Sequence, residues 1–265
     1  MEKFEQITSR SNARLIRVRK IRDGKVPARI FIEGRRLVEE SLRSHLVFEQ
    51  CFVVQGFRDA ELISLVSRKT MSIAELPPGI FGSISDTEHS QGIVIVAERP
   101  RSTSTAIGSR LEAAALPIVI YLKEINNPSN LGAILRTAEA ADVAGVVVSK
   151  NSADVFSPKA LRSAMGASFR LPVWEGVDFT EITEWAMAHG LTLTASDISA
   201  TVDYDRLDWG RPRLLIFGSE AHGLEPQELD QVQDKIRIPM ANGVESLNLA
   251  VSAGITLFEA KRQNS

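Results

Sequence analysis

The chain has 265 residues, of which 44% are hydrophobic and 24% charged, and its net charge is −2 at pH 7. That length allows two compact domains or one large one. No apolar run approaches the ~18–20 residues of a membrane span, and the charged start Met1–Gln6 lacks the apolar stretch of a secretory signal. The single cysteine, Cys51, lies in an apolar run that reads as a buried strand and has no disulfide partner. His45, His89, His189 and His222 are scattered, so no metal site is expected. A reduced, soluble, cytoplasmic protein without membrane contact is the expectation.

Taken in chain order, Ser9–Arg22 predicts a basic helix, Arg29–Ile32 a short strand, Arg35–Arg43 a helix and Val47–Val54 a strand. Asp59–Ser67 then predicts a helix and Gly92–Ala97 a closing strand. Alternation at this spacing gives a small α/β domain over residues 1–98. Between Arg10 and Arg36, ten cationic residues face only Asp23 and Glu33. A local basic face attracts phosphate by counterion release whatever the acidic remainder does. Arg10, Arg14, Arg17, Arg35 and Arg36 are therefore candidate RNA-binding residues; the competing reading is an arginine-rich, solvated helix face. Residues 99–113, which open with the polar stretch Arg99–Ser109 that is poor in large apolar side chains, predict a linker.

Over 114–265, near-continuous apolar runs recur at Ile118–Leu122, Gly145–Ser149, Leu191–Ala195, Leu214–Phe217 and Ile236–Ile238. Strands apolar on both faces belong in a parallel sheet covered by helices. Helical patterns fall between and after them: Leu131–Ala141, Pro158–Met165, Phe179–His189, Pro226–Val232 and Ser246–Arg262. Pro158 and Pro226 sit where a first helical position is expected.

Two common nucleotide signatures fail. No G-x-G-x-x-G follows a predicted strand, and Gly218–Gly223 has phosphate-loop glycine spacing but continues Leu224-Glu225 in place of Lys-Ser/Thr. Three polar clusters instead follow predicted strands: Asn126–Arg136, Gly218–Leu224 and Ile238–Asn248. Singly, each asparagine or serine here reads as a helix cap. Together, loops at strand carboxyl ends are where an open α/β sheet binds its ligand.

The clusters Asn130-x-Gly132-x-x-x-Arg136, Gly218-x-Glu220-x-x-Gly223-Leu224, and Ile238-Pro-Met240 followed by Glu245-Ser-Leu-Asn248 resemble, in this order, the three motifs of the SpoU (TrmH-like) branch of the SPOUT RNA methyltransferases. The match covers Ile118 to Arg262. Ile30–Glu40 and the Ser90–Val94 strand resemble, less specifically, the ribosomal-protein-L30e-like substrate-binding domain often joined to this branch. The resemblance implies an α/β SPOUT fold whose parallel sheet is threaded into a deep trefoil knot at residues 114–265. It also implies a homodimer whose active site uses both subunits. S-adenosylmethionine would be held by Gly218, Ile238 and Leu247, with Glu220 of the same loop set either contacting the donor or supporting the knot. Asn130, Arg136, Ser246 and Asn248 would line the acceptor side. The implied activity is ribose 2′-O-methylation of RNA, with large-subunit rRNA preferred because Val155–Pro172 looks most like members acting there. A tRNA substrate and a catalytically silent RNA-binding assembly factor are the alternatives.

Overall fold

The structure, a computed structural model, describes residues 4–70, 72–101, 103–114, 116–219 and 222–265. It divides into two units: Met1–Pro100 with Val155–Arg170, and Arg101–Asp154 with Leu171–Ser265.

The first unit opens with β1 (Glu5–Gln6) and α1 (Ala13–Arg22). The helix begins four residues later than Ser9 because Asn12 is its cap: the Asn12 side chain accepts from Arg14 N at 2.9 Å. It buries Leu15, Val18 and Ile21, one face at helical spacing. There follow β2 (Arg29–Glu33), α2 (Arg35–Leu42), β3 (Phe48–Val54), α3 (Ala60–Ser67), β4 (Ile73–Leu76), α4 (Pro78–Phe81) and β5 (Ile93–Glu98). The sheet order is β1-β4-β3-β5-β2, with β5 antiparallel to both neighbours and the other pairs parallel. Its core joins the α1 face to Phe31, Phe52, Leu76 and Val94. Removing each large side chain from water stabilises the unit by about 1.5–3 kcal/mol before entropy is counted. Cys51 is fully buried in β3, and burial pushes its thiol up to about 12, so no reactive thiolate forms there.

The second unit departs from the expected linker. Most of it is helix, α5 (Ser104–Ala113), which buries Ile107 completely. Ile107 lies against Gly145, where an added Cβ would come within 2.8 Å of it, so the glycine lets the helix settle on the sheet. The unit continues with β6 (Leu116–Leu122), α6 (Pro128–Ala141) and β7 (Val143–Val148). The chain then supplies Val155–Arg170 to the first unit, including α7 (Pro158–Ala164) with Ser157 as its cap. Arg162 pairs there with Asp86 at 2.7 Å and Arg170 with Glu40 at 2.8 Å. These residues were expected within the C-terminal domain.

Back in the second unit come β8 (Val173–Glu175), α8 (Phe179–Ala188), β9 (Thr192–Ser196), β10 (Val202–Asp203), β11 (Arg213–Phe217), α9 (Pro226–Leu229), β12 (Asp234–Arg237) and α10 (Leu249–Gln263). The seven strands run in the order β10-β12-β9-β11-β6-β7-β8, and every pair is parallel. β7 and β11 are buried along their whole length, as strands covered on both faces must be. After β11 the chain crosses to the far side of β9 for β12, then returns as α10 to pack on α6.

Candidate functional site

Parallel strands put all their carboxyl ends on one edge. Phe217, which ends β11, pairs in register with Leu122 of β6 and with Ser196 of β9. The three polar clusters issue from this edge or arrive at it.

In the first cluster, Asn127 rather than Asn130 caps α6: its side chain accepts from Ser129 N at 2.9 Å, and Pro128 takes the first helical position. Asn130 is thus inside the helix, two residues beyond Pro128. This frees its side chain for a tertiary contact: Asn248 Nδ2 donates to Asn130 Oδ1 at 3.1 Å. The third cluster ends on that same Asn248. It caps α10 by accepting from Ala250 N and Val251 N, so one side chain sets a helix terminus and ties the two clusters together. Ser246 and Leu247, expected in the first turn of this helix, lie in the loop before it.

The second cluster is a tight backbone loop. Ser219 N donates to Gly223 O at 3.0 Å and Gly223 N to Ser219 O at 2.9 Å. Gly223 has φ +67°, and Gly218 is so close to it that a Cβ there would lie 2.3 Å from the Gly223 carbonyl carbon. No side chain fits. Glu220, expected beside the ligand, lies outside the described residues.

Two adjoining cavities result. One, of about 390 Å³, is lined by Gly218, Ser219, Gly223, Ser246, Leu247 and Asn248 among others. The second, of about 100 Å³, is lined by Ile238, Met240, Arg237, Ser246 and Leu247, and both include Ser196 and Ser252. So the structure brings together Asn130, Asn248, Ser246, Gly218, Leu247 and Ile238. It does not put Arg136 in either lining; Arg136 is exposed on α6, with no ion pair among the described residues. A larger cavity, about 640 Å³ around Asp197, Val202, Asp230 and Lys235, contains none of the motif residues.

Sequence reasoning missed Ser196 and Ser252. Ser252 was within reach of it, being one helical turn beyond Asn248 on a helix already expected. Ser196 directly follows a predicted strand, at the same edge as the clusters.

In the structure most of the basic stripe is paired within the protein. Arg14 pairs with Glu5 at 2.6 Å, Arg17 with Glu49, and Arg35 with Asp59 at 2.6 Å and Glu39 at 3.1 Å. Arg29 shares Glu49 and Glu98. Arg10 donates to the Gly79 carbonyl at 2.9 Å. Acidic residues from other elements thus neutralise cations that few sequence neighbours oppose. Of the five candidates, Arg36 is exposed and makes no such bond among the described residues. The Glu49 carboxyl is held below its ordinary range, first by the Arg17 hydrogen bond against the opposing effect of burial, then by Arg29.

Comparison with known proteins follows the same division. Residues 117–258 match the model of the SpoU rRNA Methylase family, and residues 31–103 match that of RNA 2′-O ribose methyltransferase substrate binding. An uncharacterised tRNA/rRNA methyltransferase of Synechocystis is 40% identical over 54% of this chain and 53% of its own length. The mitochondrial rRNA methyltransferase 3A of Danio rerio is 27% identical over 89% of this chain and 64% of its own. The chain therefore spans between half and two thirds of these two curated relatives. An S-adenosylmethionine-bound rRNA methyltransferase from Sinorhizobium meliloti superposes with a TM-score of 0.85 at 25% identity, covering 98% of both chains.

Proposed function

Because the chain belongs to the SpoU rRNA Methylase family, we propose that it is an S-adenosylmethionine-dependent RNA methyltransferase that modifies a ribose 2′-hydroxyl in large-subunit rRNA. One observation carries this reading: the Asn248–Asn130 hydrogen bond joins the acceptor-side helix to the rim of a cavity floored by Gly218.

The cavity fits the donor. Its volume falls in the range of small-molecule sites. Gly218 leaves backbone, not side chain, against the ligand, while Leu247 and Ile238 offer apolar wall and Ser196, Ser246 and Ser252 offer hydroxyls. S-adenosylmethionine supplies a methyl group already activated by its sulfonium charge. The protein is left to align the ribose oxygen with that methyl and to help a weakly acidic hydroxyl lose its proton. Asn130 and Asn248, locked to each other, orient the acceptor. Arg136 is too strong a conjugate acid to act as a base by itself. Its role on this reading is to bind the RNA phosphate next to the target ribose and to stabilise charge developing on the oxygen.

A homodimer belongs to the same proposal. An exposed Arg136 suits a site completed by a second copy, and Val244, Leu247, Val251 and Phe258 on or next to α10 are exposed apolar residues. The trefoil threading is likewise inferred from the family, supported by the crossing of β12 and the return of α10. Cytoplasmic action is inferred in the same way.

The test is ribose-methylation mapping of rRNA and tRNA from cells with and without the protein, paired with transfer of labelled methyl by the purified protein. Loss of one 2′-O-methyl mark in large-subunit rRNA is expected. A change confined to tRNA overturns the substrate, and no transfer to any RNA overturns the activity.

A further inference from the structure

Lys123, the first residue after β6, holds the 218–224 loop at both ends. Its backbone N–H donates to Phe217 O at 3.0 Å, fixing the entry to the loop. Its ammonium pairs with Glu228 at 2.6 Å, and the same Glu228 oxygen accepts from Glu225 N at 2.8 Å, fixing the exit. Both side chains are nearly removed from solvent, 13% and 15% exposed. Between these anchors the loop closes on itself through Ser219 and Gly223. The residue after Lys123, Glu124, takes a left-handed backbone conformation at φ +52° and donates its N–H to Ser149 Oγ at 2.7 Å. That turn directs the chain into α6 and Asn130.

We propose that Lys123 and Glu228 are positioning residues for the methyl donor: their ion pair sets the separation of Phe217–Ser219 from Gly223–Glu225 and couples these segments to the start of the acceptor-side helix. This rests on the assignment of the Gly218 cavity to the donor. An exposed pair of this kind would contribute little. A shielded one whose acceptor also holds a backbone N–H costs more to break, because the remaining charge is stranded and the N–H loses a strong acceptor. Neither residue lines the cavity itself, so the effect on donor binding must pass through the residues they hold, Phe217 and Glu225.

The experiment titrates S-adenosylhomocysteine into wild type, Lys123→Met, Lys123→Arg, Glu228→Gln and the Met/Gln double variant, with RNA affinity measured in parallel. Each single neutralisation should weaken the donor analogue about tenfold with RNA affinity unchanged. The double variant should be no weaker than the worse single one, and Lys123→Arg should keep most of the affinity. Under saturating RNA, KM for the donor should rise while kcat changes little. Glu228→Gln, which keeps shape and an acceptor for Glu225 N, carries the test if Lys123→Met does not fold. Wild-type affinity in a folded Glu228→Gln variant overturns the positioning role alone. Absence of binding to the wild-type protein overturns the donor assignment, and this proposal with it.

Discussion

Replacing Gly218 by alanine perturbs the donor loop by a single carbon. The added Cβ would lie 2.3 Å from the Gly223 carbonyl carbon and 2.7 Å from both its Cα and its oxygen, against a practical floor of 3.0 Å. All three obstacles are backbone, so no side chain can swing aside, and Gly223 must retreat by at least roughly 0.7 Å. The reciprocal Ser219–Gly223 bonds, now 3.0 and 2.9 Å, would then stretch beyond the range of good hydrogen bonds. Losing two such bonds costs about 1–3 kcal/mol. Because the loop forms a cavity wall, that cost falls on ligand affinity, giving a loss of about 5- to 150-fold. Calorimetric titration of S-adenosylhomocysteine measures it. The thermal midpoint without ligand should fall by about 2–4 °C for each kcal/mol not recovered by relaxation into solvent at the exposed His222 and Gly223. Alanine-variant affinity within twofold of wild type would refute the reasoning, as would a collapse of the whole fold.

Three further outcomes are expected. Arg136→Ala should lower single-turnover methyl transfer by at least about 100-fold while leaving donor affinity within about twofold, and near-normal turnover removes Arg136 from the mechanism. Asn248→Ala should lose a helix cap, about 1 kcal/mol, and the Asn130 bond together, reducing both thermal midpoint and rate. Asn248→Ser, long enough to cap but too short to reach Asn130, should recover the midpoint without the rate. Glu49 gives a pH signature in the first unit. Its folded-state carboxyl is held low by Arg17, so its stabilising effect is complete above the ordinary glutamate range near about pH 4.3 and disappears as pH falls through the lower folded value. Urea melts from pH 6 to 3 should therefore show a steeper acid loss in wild type than in Glu49→Gln; parallel curves argue against the ion pair.

Much of the second unit was legible because a buried parallel strand leaves a direct trace in its own residues. Leu214–Phe217 anticipates β11 almost to its ends, and each polar cluster could be assigned to the sheet's carboxyl edge from strand order alone. What escaped depends on partners far away in the chain. The two-residue strands β1 and β10 exist only through their registers with β4 and β12. Ser104–Ala113 reads as linker by composition, yet one buried isoleucine opposite Gly145 fixes it as a helix. The Val155–Arg170 insertion joins the first unit through Asp86 and Glu40, and Gly166 is packed so closely that a Cβ would come within 2.7 Å of the Glu40 side chain. The pairing of the arginine stripe escaped for the same reason: Glu5, Glu49, Asp59 and Glu98 reach it only in the folded chain.

The two halves of the site are held in different ways, and that difference bears on catalysis. The proposed donor half is drawn together by backbone bonds between Ser219 and Gly223 and braced on both sides through Lys123. In the proposed acceptor half, the half-buried Asn130 is fixed by the exposed Asn248, while Arg136 extends into solvent. Water screens the exposed Arg136 guanidinium, so as it stands Arg136 stabilises an oxyanion only weakly. That screening is removed by the arrival of an RNA phosphate that excludes water and pairs with the guanidinium, orienting it toward the ribose. Substrate binding on this reading therefore completes the catalytic apparatus, which explains how a site with an open, hydrated cation can avoid transferring its methyl group to water.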